Sequence, residues 1–507
     1  MNPRIDALCR LSVPGVREYA GLHRFDGMVQ DLSPSGVTAA LRGLGQGPVE
    51  PDPHDEAHLR AEEAGARATF GLVQEHRRNP LYHLDNLDLA VYDREYAPKE
   101  QRDEARRRHL ASWPDAVDAA VEALDRVPAD VAEALLPAAR GLASVVEPGR
   151  TADPAMADAA LAAHGRLVAH LEQAAATGER DASIGGPALC ALMGEPNSVP
   201  LDLGRLARRA DAERDRVTEL LRDACARLAP GRAPAAIVAE LARDHPDGHG
   251  IQAEARALID EATAFTLQRD LLPDPGGECL VGPAPASRRW AMAMMSWSAP
   301  HEEDAPSWYY VTPPDPDWTP EEQEEWLAVF SRTTLPAITL HEVTPGHYAH
   351  GRLLRSALGD VRRTFFSSAF VEGWAHYAEE LCLEEGFRAE DPRFPVGVCV
   401  EALVRISRLA VAIGLHTGAM TMDDAVRRFE ADAFLRGPAA RSEAARSAYD
   451  PTYGRYTWGK LEILSLRDEA RVRWGRRYSH RRFHESLLSL GAPPLGLMGD
   501  ALGDSSP

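Results

Sequence analysis

Long segments with helical periodicity fill the first half of this chain and limit what it can fold into. Each segment is rich in Ala, Leu, Arg and Glu, and its apolar residues recur at spacings of three and four. That spacing is the period of a helix buried along one face. Proline and glycine interrupt the segments, for example at Pro128 and Pro230-Gly231. The fold is therefore predicted to be mainly α-helical, with helices at residues 55–77, 99–124, 129–145, 153–178, 203–228 and 250–269.

Helical signals return in the second half of the chain. Thr319-Pro320-Glu321-Glu322 combines an N-cap, a proline at the first helical position and a glutamate at the capping-box position, so a helix is predicted to start there. Ser367 or Ser368 is predicted to cap a helix that runs to Leu383. Further helices are predicted at residues 398–417, 422–436 and 461–474.

Two short segments between these helical halves have the composition of β-strands. Residues 278–283 and 307–312 are rich in aromatic and β-branched residues and lie close to Pro or Gly. We expect them to form a small β-hairpin or sheet near the active-site cleft. A strand beside a cleft can bind an extended peptide through its main chain, which makes Tyr310 a candidate substrate-binding residue. A purely structural hairpin is the alternative.

Composition restricts the partners and the compartment. The formal net charge of −21 argues against nucleic acid or an anionic membrane as a partner, and an acidic surface that favours solubility explains it more simply. No run approaches the roughly 20 apolar residues of a membrane span, and the first residues do not resemble a signal peptide. The six cysteines are scattered, as expected of reduced thiols. A cytoplasmic protein is predicted.

The length of 507 residues allows one large domain or several smaller ones. We predict a helical N-terminal lobe over residues 1–275 and a catalytic lobe over residues 276–507, joined as one integrated domain. The sequence leaves the oligomeric state open, with a homodimer among the options.

The strongest functional signal is the segment from His341 to His350, which reads His-Glu-Val-Thr-Pro-Gly-His-Tyr-Ala-His. It is followed about one helix later by Glu372. Two imidazoles and a carboxylate can hold a zinc ion and leave a coordination position for water, and Glu342 beside the first imidazole can accept that water's proton. This pattern is typical of zinc hydrolases.

The spacing between His341 and His347 differs from the usual zinc motif. Residues six apart on an ideal helix lie about 240° from each other, so both rings can face one metal only if the helix breaks between them. Pro345 and Gly346 favour such a break. They are equally typical of an ordinary helix end.

A second helix is predicted to carry the remaining polar groups. Glu372, His376 and Glu379 are spaced to share one helix face, where His376 and Glu379 could hold the outer nitrogens of metal-binding imidazoles. Glu379 is the better candidate, and a solvated polar stripe is the alternative. His350 could be an alternative ligand, although a place in the pocket or behind the ligands is preferred for it.

A hydrolase of this kind also needs a donor for the oxyanion. Candidates near the C-terminus are Tyr453, Arg455, Tyr456 and His484, and spacing alone does not choose among them.

These motifs resemble the domain-of-unknown-function 885 family, bacterial proteins regarded as metallopeptidases related to the gluzincins. The family pattern His-Glu-x-x-Pro-Gly-His corresponds to residues 341–347, and Glu-Gly-Trp-Ala-x-Tyr-x-Glu corresponds to residues 372–379. Further matches are Tyr456 to Gly459, Leu466-Arg467, and Phe483-His484 through Pro494-Leu495. The motifs keep their order over residues 335–495.

The resemblance implies a two-lobed, helical, zincin-like fold with a deep cleft. It implies one zinc ion held by His341, His347 and Glu372, with Glu342 as general base and Tyr456 as oxyanion donor. It also makes Arg467 and His484 substrate-binding or supporting groups. Mn and Co remain alternatives to Zn. The sequence departs from the family in lacking a Gln before the C-terminal tyrosine, where Arg455 stands, and in having His350 and His376.

We therefore expect a zinc metallopeptidase acting on short peptides. One alternative is a metal-dependent amide or ester hydrolase of a specialised metabolite, tuned by His350, His376 and Arg455. The other is a helical binding protein that holds no metal.

Overall fold

Helices make up most of the protein. The computed structural model describes residues 2–146, 153–248, 250–289, 291–303 and 305–503, and within these ranges it contains 24 α-helices. Those of the N-terminal part are α1 (Pro3–Arg10), α2 (Val13–Glu18), α3 (Pro34–Gly43), α4 (Pro53–Ala66), α5 (Glu75–Arg78), α6 (Leu81–Leu87), α7 (Lys99–Ala111), α8 (Trp113–Ala123), α9 (Ala129–Gly141), α10 (Pro154–Thr177), α11 (Gly186–Gly194), α12 (Leu203–Leu228), α13 (Pro234–Leu241) and α14 (Gly250–Gln268).

The remaining helices follow a short β-region and carry the motifs. They are α15 (Pro320–Leu327), α16 (Leu335–Glu342), α17 (His347–Leu354), α18 (Asp360–Thr364), α19 (Ser368–Glu384), α20 (Phe394–His416), α21 (Met422–Asp432), α22 (Gly437–Tyr449), α23 (Arg455–Trp474) and α24 (His480–Leu488). The mainly α-helical fold predicted from periodicity is confirmed.

Local signals in the sequence account for several helix ends. The Thr319 hydroxyl accepts from the Glu322 N–H and the Glu322 carboxylate accepts from the Thr319 N–H, so the predicted capping box is present. Ser367, rather than Ser368, caps α19 by accepting from the Phe370 N–H. These caps fix where the helices that carry the functional motifs begin.

Two predicted helices are interrupted. The helix predicted over residues 99–124 is divided into α7 and α8, because Pro114 suits the first turn of a helix and not its interior. The helix predicted over residues 55–77 continues after α4 as a π-helix, Arg67–Val73, and then stops at Gln74, whose φ of 57° is left-handed. Neither interruption affects the region of the metal-binding motif.

The β-region forms one three-stranded sheet with strand order β1-β3-β2: β1 (Cys279–Pro283), β2 (Ala293–Ser296) and β3 (Ser307–Val311). The two predicted strands are β1 and β3, and they pair in parallel, so of the two predicted alternatives the small sheet is confirmed and the hairpin is not formed. The sequence prediction missed β2, which pairs antiparallel with β3 and leaves its other side at the sheet edge.

The largest hydrophobic cluster joins both parts of the chain. It contains Leu206 and Leu258 from α12 and α14 together with Tyr309, Trp374 and Trp458 from the later elements. A separate cluster is formed mostly by α6 to α10. Among the described residues, no helix combines the length and hydropathy needed to cross a membrane.

Candidate metal centre

A sharp break separates the two motif histidines. Helix α16 ends at Glu342 and α17 begins at His347, so the predicted break at Pro345-Gly346 is confirmed. The Gly346 N–H donates to the Leu340 carbonyl at 3.1 Å, and a β-carbon at Gly346 would lie 1.9 Å from the His341 carbonyl oxygen. A glycine is needed here because the chain passes so close to the end of α16.

The break turns both imidazoles towards Glu372. Glu372 Oε2 lies 3.2 Å from His347 Nε2 and 3.5 Å from His341 Nε2. The three potential ligand atoms all lie within 4.8 Å of one another. Two imidazole nitrogens and one carboxylate oxygen form a donor set that suits zinc, so these residues fit the metal that the sequence implies.

Glu372 is held in its charged form. Burial by itself raises its pKa, but hydrogen bonds from His341 and His347 outweigh burial and hold the pKa well below its ordinary value. An ionised carboxylate beside two imidazoles is the state in which such a group binds a cation.

Glu379 fixes the orientation of His341. Its Oε1 lies 2.7 Å from His341 Nδ1, the contact that helix spacing predicted. In a metal-bound state the proton of this imidazole would lie on Nδ1, where it is donated to Glu379, and the Nε2 lone pair would be left for the metal. Arg405 Nε lies 3.2 Å from the same Glu379 oxygen, and Arg405 Nη1 donates to Glu401 at 2.8 Å. Glu379 therefore lies between a ligand imidazole and a buried ion pair.

Glu342 lines the cavity with these groups. Its side chain is buried, and Oε2 has no hydrogen-bond partner. Burial raises the pKa of Glu342 to about 7. An unpartnered carboxyl group with such a pKa can exchange a proton with a reactant near neutral pH.

Tyr456 packs against His341. Its ring stacks on the His341 ring with 6.0 Å between centroids and 20° between planes. It lies in the first turn of α23, which packs closely on α19: a β-carbon at Gly459 would lie 1.9 Å from the Ala369 carbonyl oxygen. The absence of a side chain at Gly459 brings Tyr456 towards Glu372.

The site opens into a cavity of about 490 Å³. Strand β2, through Ala293 to Met295, forms part of its wall. The wall also has apolar and aromatic residues: Met292, Trp297, Val329, Phe330, Ile338, Phe365, Phe366, Val371 and Leu435. Tyr19 and Glu62 contribute from the N-terminal helices.

The structure places several predicted site residues away from this cavity. His350 is fully buried, with Nε2 3.2 Å from the Gly491 carbonyl, and packs on Phe370. His484 lies between the Leu271 carbonyl and the Tyr377 hydroxyl. Neither ring lines the cavity, because α17 and α24 direct both rings into the core.

The other displaced residues are Arg467, Tyr310 and His376. Arg467 forms an ion pair with Glu384, and Tyr310 stacks on Trp308, two residues earlier on the same strand, β3. His376 is buried, and burial holds its pKa well below the ordinary value. It does not hold the outer nitrogen of either candidate ligand, which for His341 is bound by Glu379. Arg455, in contrast, lines the cavity.

Sequence reasoning missed the arginines of the cavity wall. Arg405 and Arg408 lie on α20, and Arg446 lies on α22. One signal could have found two of them: α20 is otherwise apolar, and charged residues at positions 401, 405 and 408 of such a helix must be paired or functional.

The family comparison covers nearly the whole chain. The model of a family described as bacterial protein of unknown function (DUF885) matches residues 14–502. The chain belongs to this family. No curated protein matches it.

Two solved structures share the fold. One is described as a putative lipoprotein of unknown function from Shewanella oneidensis, with a TM-score of 0.75 and 20% identity, covering 98% of this chain and 97% of that one. The other is described as the putative lipoprotein from Colwellia psychrerythraea, with a TM-score of 0.77, 16% identity and the same coverage. At these identities the likeness concerns the fold alone.

Proposed function

We propose that this DUF885 protein is a zinc-dependent hydrolase of amide bonds that acts on short peptides. The observation that carries the proposal is the convergence of His341, His347 and Glu372, whose ligand atoms lie within 4.8 Å of one another in the cavity that Glu342 also lines. We also propose that the fold is a two-lobed zincin of the gluzincin type. The helical architecture and the order of the motifs support that relationship.

In this proposal the chain supplies proton transfer and orientation. His341, His347 and Glu372 would hold zinc, which when bound polarises a carbonyl and makes water more acidic. Glu342 accepts a proton from the attacking water and returns it to the leaving amine. The Tyr456 hydroxyl donates to the substrate's carbonyl oxygen as negative charge develops there.

Strand β2 gives an extended substrate a place to bind. It lies at the sheet edge and lines the cavity, so its outward main-chain groups can pair with a peptide backbone. We assign this role to β2 rather than to β3, the strand of Tyr310 that was the candidate from the sequence.

The first test is metal content. Purified protein from zinc-supplemented cultures is expected to hold about one equivalent of metal by elemental analysis, and His347→Ala is expected to hold much less. Less than about a tenth of an equivalent in the parent protein would support a metal-free binding protein instead.

The second test separates chemistry from metal binding. Glu342→Gln should retain the metal and lose turnover by at least about 100-fold, because it can no longer take up a proton. Dipeptides, tripeptides, N-acyl amino acids and esters form the substrate panel. Glu384→Gln, on the surface side of α19, is the matched control and should keep its rate. A Glu342→Gln variant with the parent's rates would exclude the mechanism.

A further inference from the structure

Arg455 lies next to the proposed oxyanion donor and lines the same cavity. It is the first residue of α23, and its guanidinium carbon lies 5.4 Å from the centre of the Tyr456 ring. A ligand that places a carbonyl against Tyr456 would therefore have its next functional group within reach of Arg455.

The guanidinium of Arg455 is fixed in place but not fully used. Nη1 donates to both Asp450 oxygens, at 2.7 and 2.8 Å, and to Thr452 Oγ1 at 3.0 Å. Nε is buried and has no hydrogen-bond partner among the residues that the structure describes. Because a guanidinium has five N–H donors, the pairing with Asp450 orients the group and leaves donors for a second acceptor.

Two further arginines lie beside Arg455 in the cavity lining, Arg408 and Arg446. Arg408 makes two hydrogen bonds to Glu443, at 2.8 and 2.7 Å, and its guanidinium carbon lies 4.7 Å from the centre of the Tyr456 ring. Arg446 lies 3.7 Å from Asp450. Arg408 and Arg455 thus lie against the ring of the proposed oxyanion donor, and a guanidinium in this position can bind an anionic group of a ligand.

Another part of the cavity wall is apolar and suits an apolar group of the ligand. Met292, Phe330, Ile338 and Leu435 line it, and a methionine-rich wall adapts to ligands of different shape. A ligand that satisfies both parts of the cavity has an apolar body and a carboxylate.

We propose that Arg455 binds a carboxylate of the substrate, so that the substrates are amides joining an apolar acyl group or residue to an amino acid with a free carboxylate. This inference rests on the proposed function for its amide bond, and on the cavity wall for its carboxylate. N-acyl amino acids and dipeptides with an apolar first residue belong to this class.

Binding of a matched ligand pair tests the inference without turnover. N-benzoylglycine and N-benzoylglycinamide differ in the carboxylate, and their affinities can be measured by calorimetry on full-length Glu342→Gln protein. The measurement is made with zinc and again after chelation, because a carboxylate can also bind a metal directly. The acid is expected to bind about 10-fold or more tightly than the amide in both states.

Arginine variants identify the group responsible. Arg455→Gln in the same background should make the two affinities equal. Arg393→Gln is the control, since Arg393 pairs with Asp391 outside the cavity, and it should keep the preference. Because Arg455→Gln removes the closer of the two arginines that pair with Asp450, the double variant Arg455→Gln/Asp450→Asn serves if the single variant does not fold. Asp450→Asn alone should retain the preference for the acid.

The outcomes separate this inference from the proposed function. Equal affinities in the parent background, or an acid preference that survives without Arg455, would overturn the carboxylate site. Acid preference without hydrolysis of any panel compound by the zinc-loaded wild-type protein would overturn the hydrolase and leave the carboxylate site standing. Hydrolysis of the acid and the amide at the same rate would overturn the carboxylate site and leave the hydrolase standing.

Discussion

At the scale of single residues, the candidate centre depends on a chain of buried charges. His341 Nδ1 contacts Glu379, Glu379 contacts Arg405, and Arg405 contacts Glu401. Glu379 and Arg405 are both at least 95% buried as side chains, so water screens their interactions little. This series of buried contacts therefore orients the His341 ring before any metal binds.

This orientation leads to a prediction for Glu379→Gln. The variant keeps the size of the side chain but replaces a charged acceptor with a neutral one, so the His341 Nε2 becomes a weaker ligand. Zinc affinity, measured by competition with a chromophoric chelator, is expected to fall by about 10- to 100-fold. Glu384→Gln, on the same helix but paired with Arg467, should keep its affinity. Equal affinity in the two variants would remove Glu379 from the metal site.

Sequence patterns predicted the site residues that are near one another along the chain. They missed the site residues that only the packing of distant helices brings together. Glu372 and Glu379 follow from helix spacing, and the break before His347 follows from Pro345-Gly346. Arg446, in contrast, joins the cavity wall from another helix, and its neighbours are set only by tertiary packing. His350 was misplaced for the same reason, since the side to which α17 turns it depends on how that helix packs.

At the scale of elements, the crossing of α19 and α23 sets the width of the site. A β-carbon at Gly373 would lie 2.5 Å from Gly459, and one at Gly459 would lie 1.9 Å from the Ala369 carbonyl oxygen. The two helices can approach this closely only because both positions lack side chains. Glu372 and Tyr456, each near one of these glycines, are thereby both brought close to His341.

Gly459→Ala should force the helices apart. The added methyl group meets backbone atoms rather than a flexible side chain, so a cost of about 1–3 kcal/mol in the free energy of unfolding is expected. Urea denaturation followed by circular dichroism measures it. Gly165→Ala is the matched control, because nothing lies within 4 Å of its added methyl group and alanine favours a helix by about 1 kcal/mol. Stability that rises in both variants would contradict the close crossing.

Elements with strong local signals were also the ones predicted correctly. Residues 203–228 were predicted as a helix and form α12. Strand β2 was missed, and the parallel pairing of β1 with β3 was not predicted, because strand partners distant in sequence are not encoded by local periodicity. The sequence therefore could not predict that β2 lines the cavity.

At the scale of the whole molecule, buried neutral histidines link stability to pH. His109 Nε2 donates to the Asn86 carbonyl at 2.8 Å and its ring is fully buried. Burial lowers the pKa of His109 to about 3. Burial lowers the pKa values of five other histidines to about 3 or 4 in the same way, those of His76, His83, His350, His416 and His484.

These histidines should make the protein less stable in mild acid. Each has a lower pKa folded than unfolded, so its contribution is complete above the unfolded pKa of about 6.5 and is lost as pH falls towards the folded pKa. Burial raises the pKa values of Asp85 and Glu342 to about 7, and these two groups act in the opposite direction. The six histidines outnumber them, so the free energy of unfolding is expected to fall between pH 7 and pH 5.

His109→Gln isolates one of these contributions. Glutamine can still donate to the Asn86 carbonyl but does not titrate, so between pH 7 and pH 5 the variant should lose about 2 kcal/mol less unfolding free energy than the parent protein. Urea titrations at pH 7, 6 and 5 measure both proteins under the same conditions. Parallel pH profiles for the two proteins would mean that His109 is protonated in the fold, with the added proton on Nδ1, which lies 3.1 Å from the Tyr92 hydroxyl.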